Sequence, residues 1–292
     1  MDDPLKPGFG KAWPAPAKLN LLLRIVGRRD DGYHLLQTVF QFIDLSDRIR
    51  FFPRSDRRIR LRNPQPGIAE LNDLTVRAAR LLQEQSPESG GVDIEIEKNL
   101  PIGGGLGGGS SDAATVLLVL NKLWNLGFSP RKLMDLGLSL GADVPIFIYG
   151  RSAWAEGVGE ILEPIDPPEC WYVIVVPECH VSTAQIFGSD KLTRDNKPVT
   201  IDSFNDGFSC NDCLIVVSQL YPPVREAFQA LSRFGEARLT GTGACVYLAC
   251  HSPDAASTVA AQIEGRYRIM IGKGWNRSPL HSELESFFDE IS

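Results

Sequence analysis

The residues best suited to chemistry form a glycine-rich stretch near the middle of the 292-residue chain. Residues 101–115 read PIGGGLGGGSSDAAT, and six of these fifteen residues are glycine. Glycine allows the backbone to approach a ligand closely, and the free N–H groups at the start of a helix attract anions. The stretch lies between a strand-like and a helix-like segment, well inside the first half of the chain. We therefore expect a phosphate-binding loop rather than a flexible linker.

The type of phosphate loop is narrowed by the residues around the glycines. A Walker A loop is excluded because no G-K-[ST] sequence follows. Gly103, Gly105 and Gly108 match the G-x-G-x-x-G pattern of dinucleotide-binding proteins, but any dense run of glycines produces this match. The pattern also requires an acidic residue about 20 residues later. Because the sequence in that region is NKLWNLGFS, a dinucleotide-binding domain is a weak alternative.

Phosphoryl transfer needs two further groups beside such a loop, a base for the acceptor hydroxyl and positive charge for the transferred group. The candidates are Asp143, in the segment GADVP, and Lys18, on the polar face of the first strand. Each has a simpler interpretation when taken alone, since Asp143 could cap a helix or stabilise a turn and Lys18 could be a solvated strand residue. The segment LTGTGACV at 239–246 is a second glycine turn, either a hairpin connection or a ligand-facing loop.

The predicted elements place these residues at the ends of strands and helices. The segments KLNLLLRIVG (18–27) and VDIEIEKN (92–99) alternate apolar and polar residues, which predicts two strands. The first strand carries the lysine and the second enters the glycine loop. After the glycines we expect an apolar helix, with Ser110, Ser111 and Asp112 supplying the cap at its start.

The other segments of the first half are predicted as strands and helices. YHLLQTVFQFIDL and RIRFFP read as two strands joined by DLSD, and short strands are expected after GADVP. One helix is expected to begin at the cap Asn72, and another at Ser129 with Pro130 in its first position. The polar tail 276–292 is expected to be loosely held.

Three prolines cluster in EPIDPPEC at 163–170 and predict a domain boundary. We therefore expect an N-terminal domain at 1–164 and a C-terminal domain at 165–292. The second domain reads as a strand, three helices, two strands, a helix and a last strand. That order is typical of an α+β arrangement with an antiparallel sheet.

The overall charge limits the classes of partner. The formal net charge is −6 and the pI is about 5.3, whereas nucleic acids and anionic membranes favour basic surfaces. The first twenty residues contain no apolar core of a signal peptide, and the longest apolar run, CWYVIVVP, is too short to cross a bilayer. We therefore expect a cytoplasmic protein with no nucleic-acid partner and no membrane partner.

The six cysteines are expected to be reduced thiols, because disulfides are rare in proteins without a secretion signal. Cys210 and Cys213 form a single C-x-x-C pair, and no second pair or set of histidines follows at zinc-ligand spacing. We therefore predict no residues dedicated to holding a metal.

Four segments occur in a fixed order along the chain: PAKLNLLLRIVGRRDDGYHLLQTVFQFIDL, PIGGGLGGGSSDAA, GADVP and GTGACV. Together they resemble the GHMP kinase superfamily of small-molecule kinases, roughly over residues 13–271. The resemblance implies a two-domain α+β fold, with an N-terminal domain of the ribosomal-S5-like type and a C-terminal ferredoxin-like domain. ATP and the acceptor would meet in the cleft between the two domains.

The resemblance also implies a role for each motif. Asp143 matches the catalytic aspartate of the family and Lys18 its partner lysine, which would keep Asp143 ionised and help to place the hydroxyl. Mg²⁺ would help to neutralise the phosphates, and Ser110 or Ser111 could contact this metal. The ATP-binding residues would be Pro101, Ile102, Gly103, Gly104, Gly105, Leu106, Gly107, Gly108, Gly109, Ser110 and Ser111.

The segment PAKLNL, followed by DGYH, resembles the members of the superfamily that act on a cytidine diphosphate sugar alcohol. The implied substrate is cytidine diphosphate methylerythritol, phosphorylated on its 2-hydroxyl in the non-mevalonate isoprenoid pathway. Tyr33 and Phe187 would stack on the two faces of the cytosine, and Lys18, Asn20 and His34 would line its site. The substrate-binding residues would be Asn20, Tyr33, His34, Phe187, Gly241, Thr242 and Gly243.

Other interpretations stay open at this point. Without the resemblance, Tyr33 and Phe187 would be ordinary core residues and His34 a buried, satisfied histidine. The chain could be another GHMP kinase, with a mevalonate- or homoserine-type acceptor, or a non-catalytic nucleotide-binding protein on the same scaffold. The non-catalytic protein would need no Asp143, so the presence of both Lys18 and Asp143 favours a kinase.

Overall fold

A mixed sheet of ten strands runs through the molecule, of which the computed structural model describes residues 7–65, 67–87 and 89–290. The N-terminal half contributes β1 (Ala12–Arg28), β2 (His34–Arg54), β3 (Ile59–Leu61), β4 (Gly91–Glu97), β5 (Ala153–Glu156) and β6 (Ile161–Pro164). The C-terminal half contributes β7 (Trp171–Val176), β8 (Ala237–Leu239), β9 (Val246–Cys250) and β10 (Arg268–Trp275). Among these strands only β3 and β4 pair in parallel. The predicted α+β class is confirmed.

Helices pack against both parts of this sheet. The first half contains α1 (Leu74–Gln85), α2 (Gly108–Leu123), α3 (Pro130–Leu140) and α4 (Val144–Tyr149). The second half contains α5 (Thr183–Gly188), α6 (Ile201–Asn205), α7 (Leu214–Leu220), α8 (Pro222–Leu231), α9 (Pro253–Ile263) and α10 (Pro279–Glu290). Within the described ranges, no helix combines the length and apolar composition that a membrane crossing requires.

The long strand β2 connects the other parts of the sheet. It pairs with β1, β4 and β5 in the N-terminal half and with β10 in the C-terminal half. The predicted break at DLSD was wrong, because the buried Asp47 does not turn the chain. Its carboxylate instead accepts hydrogen bonds from the backbone N–H groups of Asn99 (2.6 Å) and Leu100 (2.8 Å). The residue thus ties β2 to the entrance of the glycine loop.

Helix α2 begins earlier than predicted. Its N-cap is Gly107, in the left-handed conformation with φ 75°, and its first residue is Gly108. Ser110, Ser111 and Asp112 therefore lie inside the first turns, and their predicted role as the cap was wrong. Because no side chain caps this helix, the N–H groups of its first turn are left for a ligand or solvent.

The other predicted caps had mixed outcomes. Helix α1 is capped by Asp73 rather than Asn72, since the Asp73 carboxylate accepts a hydrogen bond from the N–H group of Thr75 at 2.8 Å. Helix α3 is capped as predicted by Ser129, which accepts from the N–H group of Lys132 at 3.3 Å.

The segment after GADVP forms helix α4, where short strands were predicted. Five of its six residues are buried, so the run lacks the polar positions that would reveal a helical period. An apolar run of this length does not distinguish a buried strand from a buried helix by pattern alone. Strands β5 and β6 follow this helix.

Two hydrophobic clusters occupy the two halves of the molecule, and a third joins them. The joining cluster includes Leu19 and Leu22 of β1 together with Ile174 and Tyr247 from the C-terminal half. The predicted domain boundary between residues 164 and 165 stays a prediction. Some hydrophobic clusters contain residues from both sides of it. Helix α10, at the end of the chain, packs into the N-terminal cluster.

The described part of the tail is ordered by this packing, so the expectation of a loosely held segment was wrong. Leu280 and Leu284 are buried in the N-terminal cluster. The ring of Trp13 contacts Phe287 edge-on at 5.2 Å and stacks on Phe288 at 5.9 Å. Each buried leucine contributes roughly 1.5–3 kcal/mol, which explains why a largely polar segment stays attached.

Candidate active site

The glycine loop joins β4 to α2 with several residues in left-handed conformations. Gly105 has φ 76°, and a Cβ atom there would lie 2.2 Å from the carbonyl oxygen of Thr240. Gly107 has φ 75°, and a Cβ atom there would lie 2.8 Å from the ring of Phe147. Both glycines are thus required by their backbone conformation and by close packing.

A second glycine turn, at 240–245, is hydrogen-bonded to this loop. The N–H groups of Ala244 and Cys245 donate to the carbonyl oxygens of Gly103 (3.2 Å) and Gly104 (3.0 Å). The turn connects β8 to β9, and its residues Gly241, Thr242 and Gly243 line the same cleft as the glycine loop. The segment is therefore a hairpin connection that also lines the cleft, and its role in ligand binding stays a prediction.

Lys18 lies at the junction of the loop and strand β1. It is 2% exposed. Its ammonium donates to Oδ1 of Asn20 at 2.6 Å and to the carbonyl oxygen of Gly105 at 3.0 Å. The same Nζ atom lies 3.4 Å from Oδ2 of Asp143. These three neighbours match the three donors of an ammonium group.

Asp143 precedes helix α4, but its side chain makes no capping hydrogen bond. The simpler interpretation as a helix cap is therefore wrong. The carboxylate is 39% exposed and lines a cleft of about 640 Å³. The cleft wall includes nearly all of the glycine loop together with Lys18, Asn20, Asp143, Phe187, Gly241, Thr242 and Gly243.

Three predicted site residues lie outside this wall. The hydroxyl of Ser111 is buried in α2 without a hydrogen-bond partner, whereas Ser110 does line the cleft. Tyr33, in the connection between β1 and β2, is 59% exposed. His34 is buried, and its ring stacks on that of Phe187 with 4.9 Å between centroids and 29° between planes. The roles predicted for these residues stay predictions.

A buried ion cluster beside the loop was not predicted from the sequence. The ammonium of Lys98 lies 2.8 Å from Oδ2 of Asp112 and also contacts Oδ2 of Asp47. Lys98 precedes the loop, Asp112 follows it and Asp47 belongs to β2, so the cluster fastens both ends of the loop to the sheet. Burial raises the pKa of Asp112 and the neighbouring Asp47 raises it further, although Lys98 opposes both effects.

The pKa of Lys98 is also raised, but for a different reason. Burial alone would lower its pKa, but the charges of Asp112 and Asp47 outweigh burial and raise it. The lysine therefore stays a cation in the cluster. One oxygen of Asp112, Oδ1, is buried without a hydrogen-bond partner, and both Lys98 and Asp112 line the cleft.

The cysteines stand apart from this site in chemical character. All six are free thiols, and burial raises the pKa of Cys213 and of Cys245 to about 12. In the residues that the structure describes, no group of three or more histidine, cysteine or carboxylate side chains is arranged to hold a metal.

Comparison with known proteins gives the family. The GHMP kinases N terminal domain matches residues 73–151, and the GHMP kinases C terminal domain matches residues 200–269. The chain is 54% identical over 272 residues to the 4-diphosphocytidyl-2-C-methyl-D-erythritol kinase of Methylococcus capsulatus, an alignment that covers 93% of this chain and 94% of that relative. The chain belongs to the 4-diphosphocytidyl-2-C-methyl-D-erythritol kinase family.

Solved structures agree with this assignment. A crystal structure of a 4-(cytidine 5'-diphospho)-2C-methyl-D-erythritol kinase superposes with a TM-score of 0.79 at 33% identity, covering 90% of this chain and 99% of the other. A homoserine kinase from Cytophaga hutchinsonii superposes with a TM-score of 0.67 at 14% identity, covering 91% and 94%. The second match shows the shared GHMP fold alone. As a member of the 4-diphosphocytidyl-2-C-methyl-D-erythritol kinase family, the chain is an ATP-dependent phosphotransferase.

Proposed function

We propose that this chain transfers the γ-phosphoryl group of ATP to the 2-hydroxyl of 4-diphosphocytidyl-2-C-methyl-D-erythritol, the substrate named for its relatives. One observation carries the proposal at the level of the site. A single buried ammonium, that of Lys18, reaches both the glycine loop and the Asp143 carboxylate. Lys18 would thus link the proposed phosphate-binding loop directly to the proposed base.

The glycine loop would hold the phosphates of ATP. Its backbone is fixed by hydrogen bonds to the second glycine turn, and its positive φ angles at Gly103, Gly105 and Gly107 turn successive peptide groups. The uncapped start of α2 adds free N–H groups and the positive end of the helix dipole. Donors that are already in place stabilise negative charge without reorganisation during transfer.

Asp143 would act on the acceptor hydroxyl. Its carboxylate is exposed to the cleft on one side and held by Lys18 on the other. A carboxylate placed in this way accepts or orients the hydroxyl proton as the oxygen attacks the γ-phosphorus. Lys18 would hold the carboxylate in position. The positive charge of its ammonium would also help to stabilise the phosphoryl group during transfer.

The family also implies Mg²⁺, and the oxygen atoms at the start of α2 fit such an ion. Ser111 Oγ and Asp112 Oδ1 are buried oxygen atoms without hydrogen-bond partners, and Mg²⁺ takes oxygen ligands and few protein side chains when it is bound with phosphates. We propose that Ser111 and Asp112, with Ser110 beside them on the cleft wall, would hold it. When bound, Mg²⁺ supplies positive charge to the phosphate oxygens.

The cytosine would be bound beside Phe187, whose ring lines the cleft together with Asn20. His34, which stacks on Phe187 although it lies outside the cleft wall, would offer a polar edge. Tyr33 is the proposed second stacking ring, supplied from the connection between β1 and β2. Stacking between aromatic rings with hydrogen bonds to the edge of the base distinguishes cytosine from other rings.

An assay of ADP release with purified protein tests the proposal. We expect ADP release that depends on 4-diphosphocytidyl-2-C-methyl-D-erythritol and does not occur with mevalonate or homoserine. Turnover with mevalonate or homoserine instead would replace the proposed acceptor. ATP binding without turnover of any of the three would favour the non-catalytic alternative.

A further inference from the structure

A third residue, which no sequence motif indicates, connects His34 and Phe187, whose rings are stacked. His34 opens β2 and is only 8% exposed, whereas Phe187 belongs to α5 and lines the cleft. The two residues come from distant parts of the chain. Their relative position therefore depends on contacts that join α5 and the following loop to the start of β2.

Arg194 makes this connection with all three nitrogens of its guanidinium. Its Nε–H donates to Nε2 of His34 at 3.1 Å. One terminal nitrogen donates to the carbonyl oxygens of Phe187 (3.0 Å) and Ser189 (2.7 Å), and the other donates to that of Leu192 (3.2 Å). Phe187 and Ser189 lie at the end of α5, where carbonyl groups lack helical partners. One side chain thus joins the His34 ring to the backbone that carries Phe187.

The contact with Arg194 also decides which nitrogen of His34 carries the proton. Arginine has N–H donors and no acceptor, so Nε2 of His34 must accept and the neutral ring must be protonated on Nδ1. Burial lowers the pKa of His34, and the charges of Arg194 and Arg28 lower it further, which favours the neutral ring. Among the described residues, no group hydrogen-bonds to Nδ1 of His34.

We propose that Arg194 is a positioning residue for base recognition, which presupposes the cytidine substrate proposed above. By occupying Nε2 of His34, Arg194 makes Nδ1–H a fixed donor for an acceptor atom of the cytosine ring, O2 or N3. The opposite tautomer would present a lone pair at Nδ1 to these acceptors and would repel them. Arg194 acts through His34 and does not need to touch the substrate.

Nitrogen-15 NMR of the imidazole groups in the full-length protein tests the tautomer directly. The four histidines of the chain are assigned by comparison with His34→Gln. In the wild type at pH 7.5 we expect a neutral His34 ring protonated on Nδ1. In Arg194→Met we expect the ring to change to the Nε2–H tautomer. Lys191→Met is the matched control, since Lys191 lies in the same loop and bonds Gln219 at 3.0 Å, and it should leave the tautomer unchanged.

Titration with cytidine diphosphate, with the ATP site filled by a non-hydrolysable analogue, tests the consequence for binding. We expect the Kd for cytidine diphosphate to rise roughly tenfold in Arg194→Met, as for the loss of one charged or well-oriented hydrogen bond. The Kd for the ATP analogue should change less than twofold. Arg194→Lys keeps a cation but has one donor nitrogen in place of three, so its Kd for cytidine diphosphate should lie between those of the wild type and Arg194→Met.

Two results would overturn the role of Arg194: an Nε2–H ring in the wild type, or the same tautomer and the same Kd in Arg194→Met as in the wild type. The first needs only the assignment variant His34→Gln and holds even if Arg194→Met fails to fold. Failure of the wild type to bind cytidine diphosphate would contradict both this role and the proposed substrate. A changed His34 tautomer in Arg194→Met with an unchanged Kd for cytidine diphosphate would contradict the role of Arg194 but not the proposed substrate.

Discussion

The Nζ atom of Lys18 lies 3.4 Å from Oδ2 of Asp143, and the same ammonium donates to the carbonyl oxygen of Gly105 at 3.0 Å. The lysine is almost fully buried, whereas the carboxylate is open to the cleft on one side. One cation therefore connects the glycine loop with the proposed base. A change in any of these three residues should affect the other two, and the effects can be separated by measuring binding and turnover independently.

Asp143→Asn should lower kcat while leaving nucleotide binding intact. An amide cannot accept the hydroxyl proton, and a positioned general base contributes on the order of 10²–10⁴ in rate. We therefore expect a fall in kcat of at least about 10²-fold, with the Kd for an ATP analogue within twofold of the wild type. Asp135→Asn is the control, because Asp135 is exposed on α3, where it pairs with Arg131 at 3.2 Å. Wild-type kcat in Asp143→Asn would remove Asp143 from its role.

Lys18→Met should lower both turnover and stability. The substitution keeps the length of the side chain but removes two hydrogen bonds of the ammonium, to Oδ1 of Asn20 and to the carbonyl oxygen of Gly105. The Thr240 hydroxyl still donates to the Gly105 oxygen at 3.0 Å. Because a hydrogen bond to a charged group contributes about 1.5–3 kcal/mol, thermal unfolding should begin at a lower temperature. Lys11→Met, which removes an ion pair with Glu283 at 2.6 Å away from the cleft wall, should keep the wild-type kcat. An unchanged kcat in Lys18→Met contradicts the account.

Gly105→Ala should weaken ATP binding. Gly127→Ala is the matched control, because it introduces similar backbone strain without a steric clash. At Gly105 a Cβ atom would meet the Thr240 carbonyl oxygen at 2.2 Å and the φ angle is 76°, whereas Gly127 has φ 67° with no atom within 4 Å. Gly127→Ala should therefore cost only the backbone strain of about 1–2 kcal/mol. We expect a Kd for the ATP analogue at least tenfold higher in Gly105→Ala and unchanged in Gly127→Ala. Equal affinities in the two variants would show that the loop conformation does not govern ATP binding.

Asp112→Asn should change how stability depends on pH. Folding raises the pKa of Asp112 above its value in the unfolded chain. At pH values between the unfolded and folded pKa, the folded state therefore binds more protons than the unfolded state. Stability contributed by this group is thus present at low pH and is lost as pH rises through the folded pKa. The difference in free energy of unfolding, wild type minus Asp112→Asn, should fall by up to about 1.4 kcal/mol per pH unit. Urea unfolding at a series of pH values measures it, and a constant difference refutes the raised pKa.

The parts of the site that were predictable lie in short contiguous motifs. The glycine loop, GADVP and the second glycine turn each carry a local pattern, and the structure brings all three to one cleft with Lys18. The sequence order of these motifs was enough to indicate the family. Strand and helix types were also largely predictable where the apolar period was clear, as in β4 and α3.

The parts that were not predictable depend on contacts between distant residues. Lys98 and Asp47 are 51 positions apart, and Arg194 and His34 are 160 positions apart, so no local pattern links them. The continuity of β2 past DLSD has the same origin, because Asp47 is used by the backbone of the loop entrance rather than by a turn. Helix α4 was missed for a different reason, since its uniformly apolar residues show no period.

Phosphorus NMR of the complete wild-type reaction tests the central claim most directly. With ATP, Mg²⁺ and 4-diphosphocytidyl-2-C-methyl-D-erythritol, we predict a new phosphomonoester resonance, from phosphate on the 2-hydroxyl of the methylerythritol unit, in equal amount to the ADP formed. Asp143→Asn should form both products at least about 10²-fold more slowly under the same conditions. Formation of ADP with inorganic phosphate in place of the phosphomonoester would contradict transfer to the substrate hydroxyl.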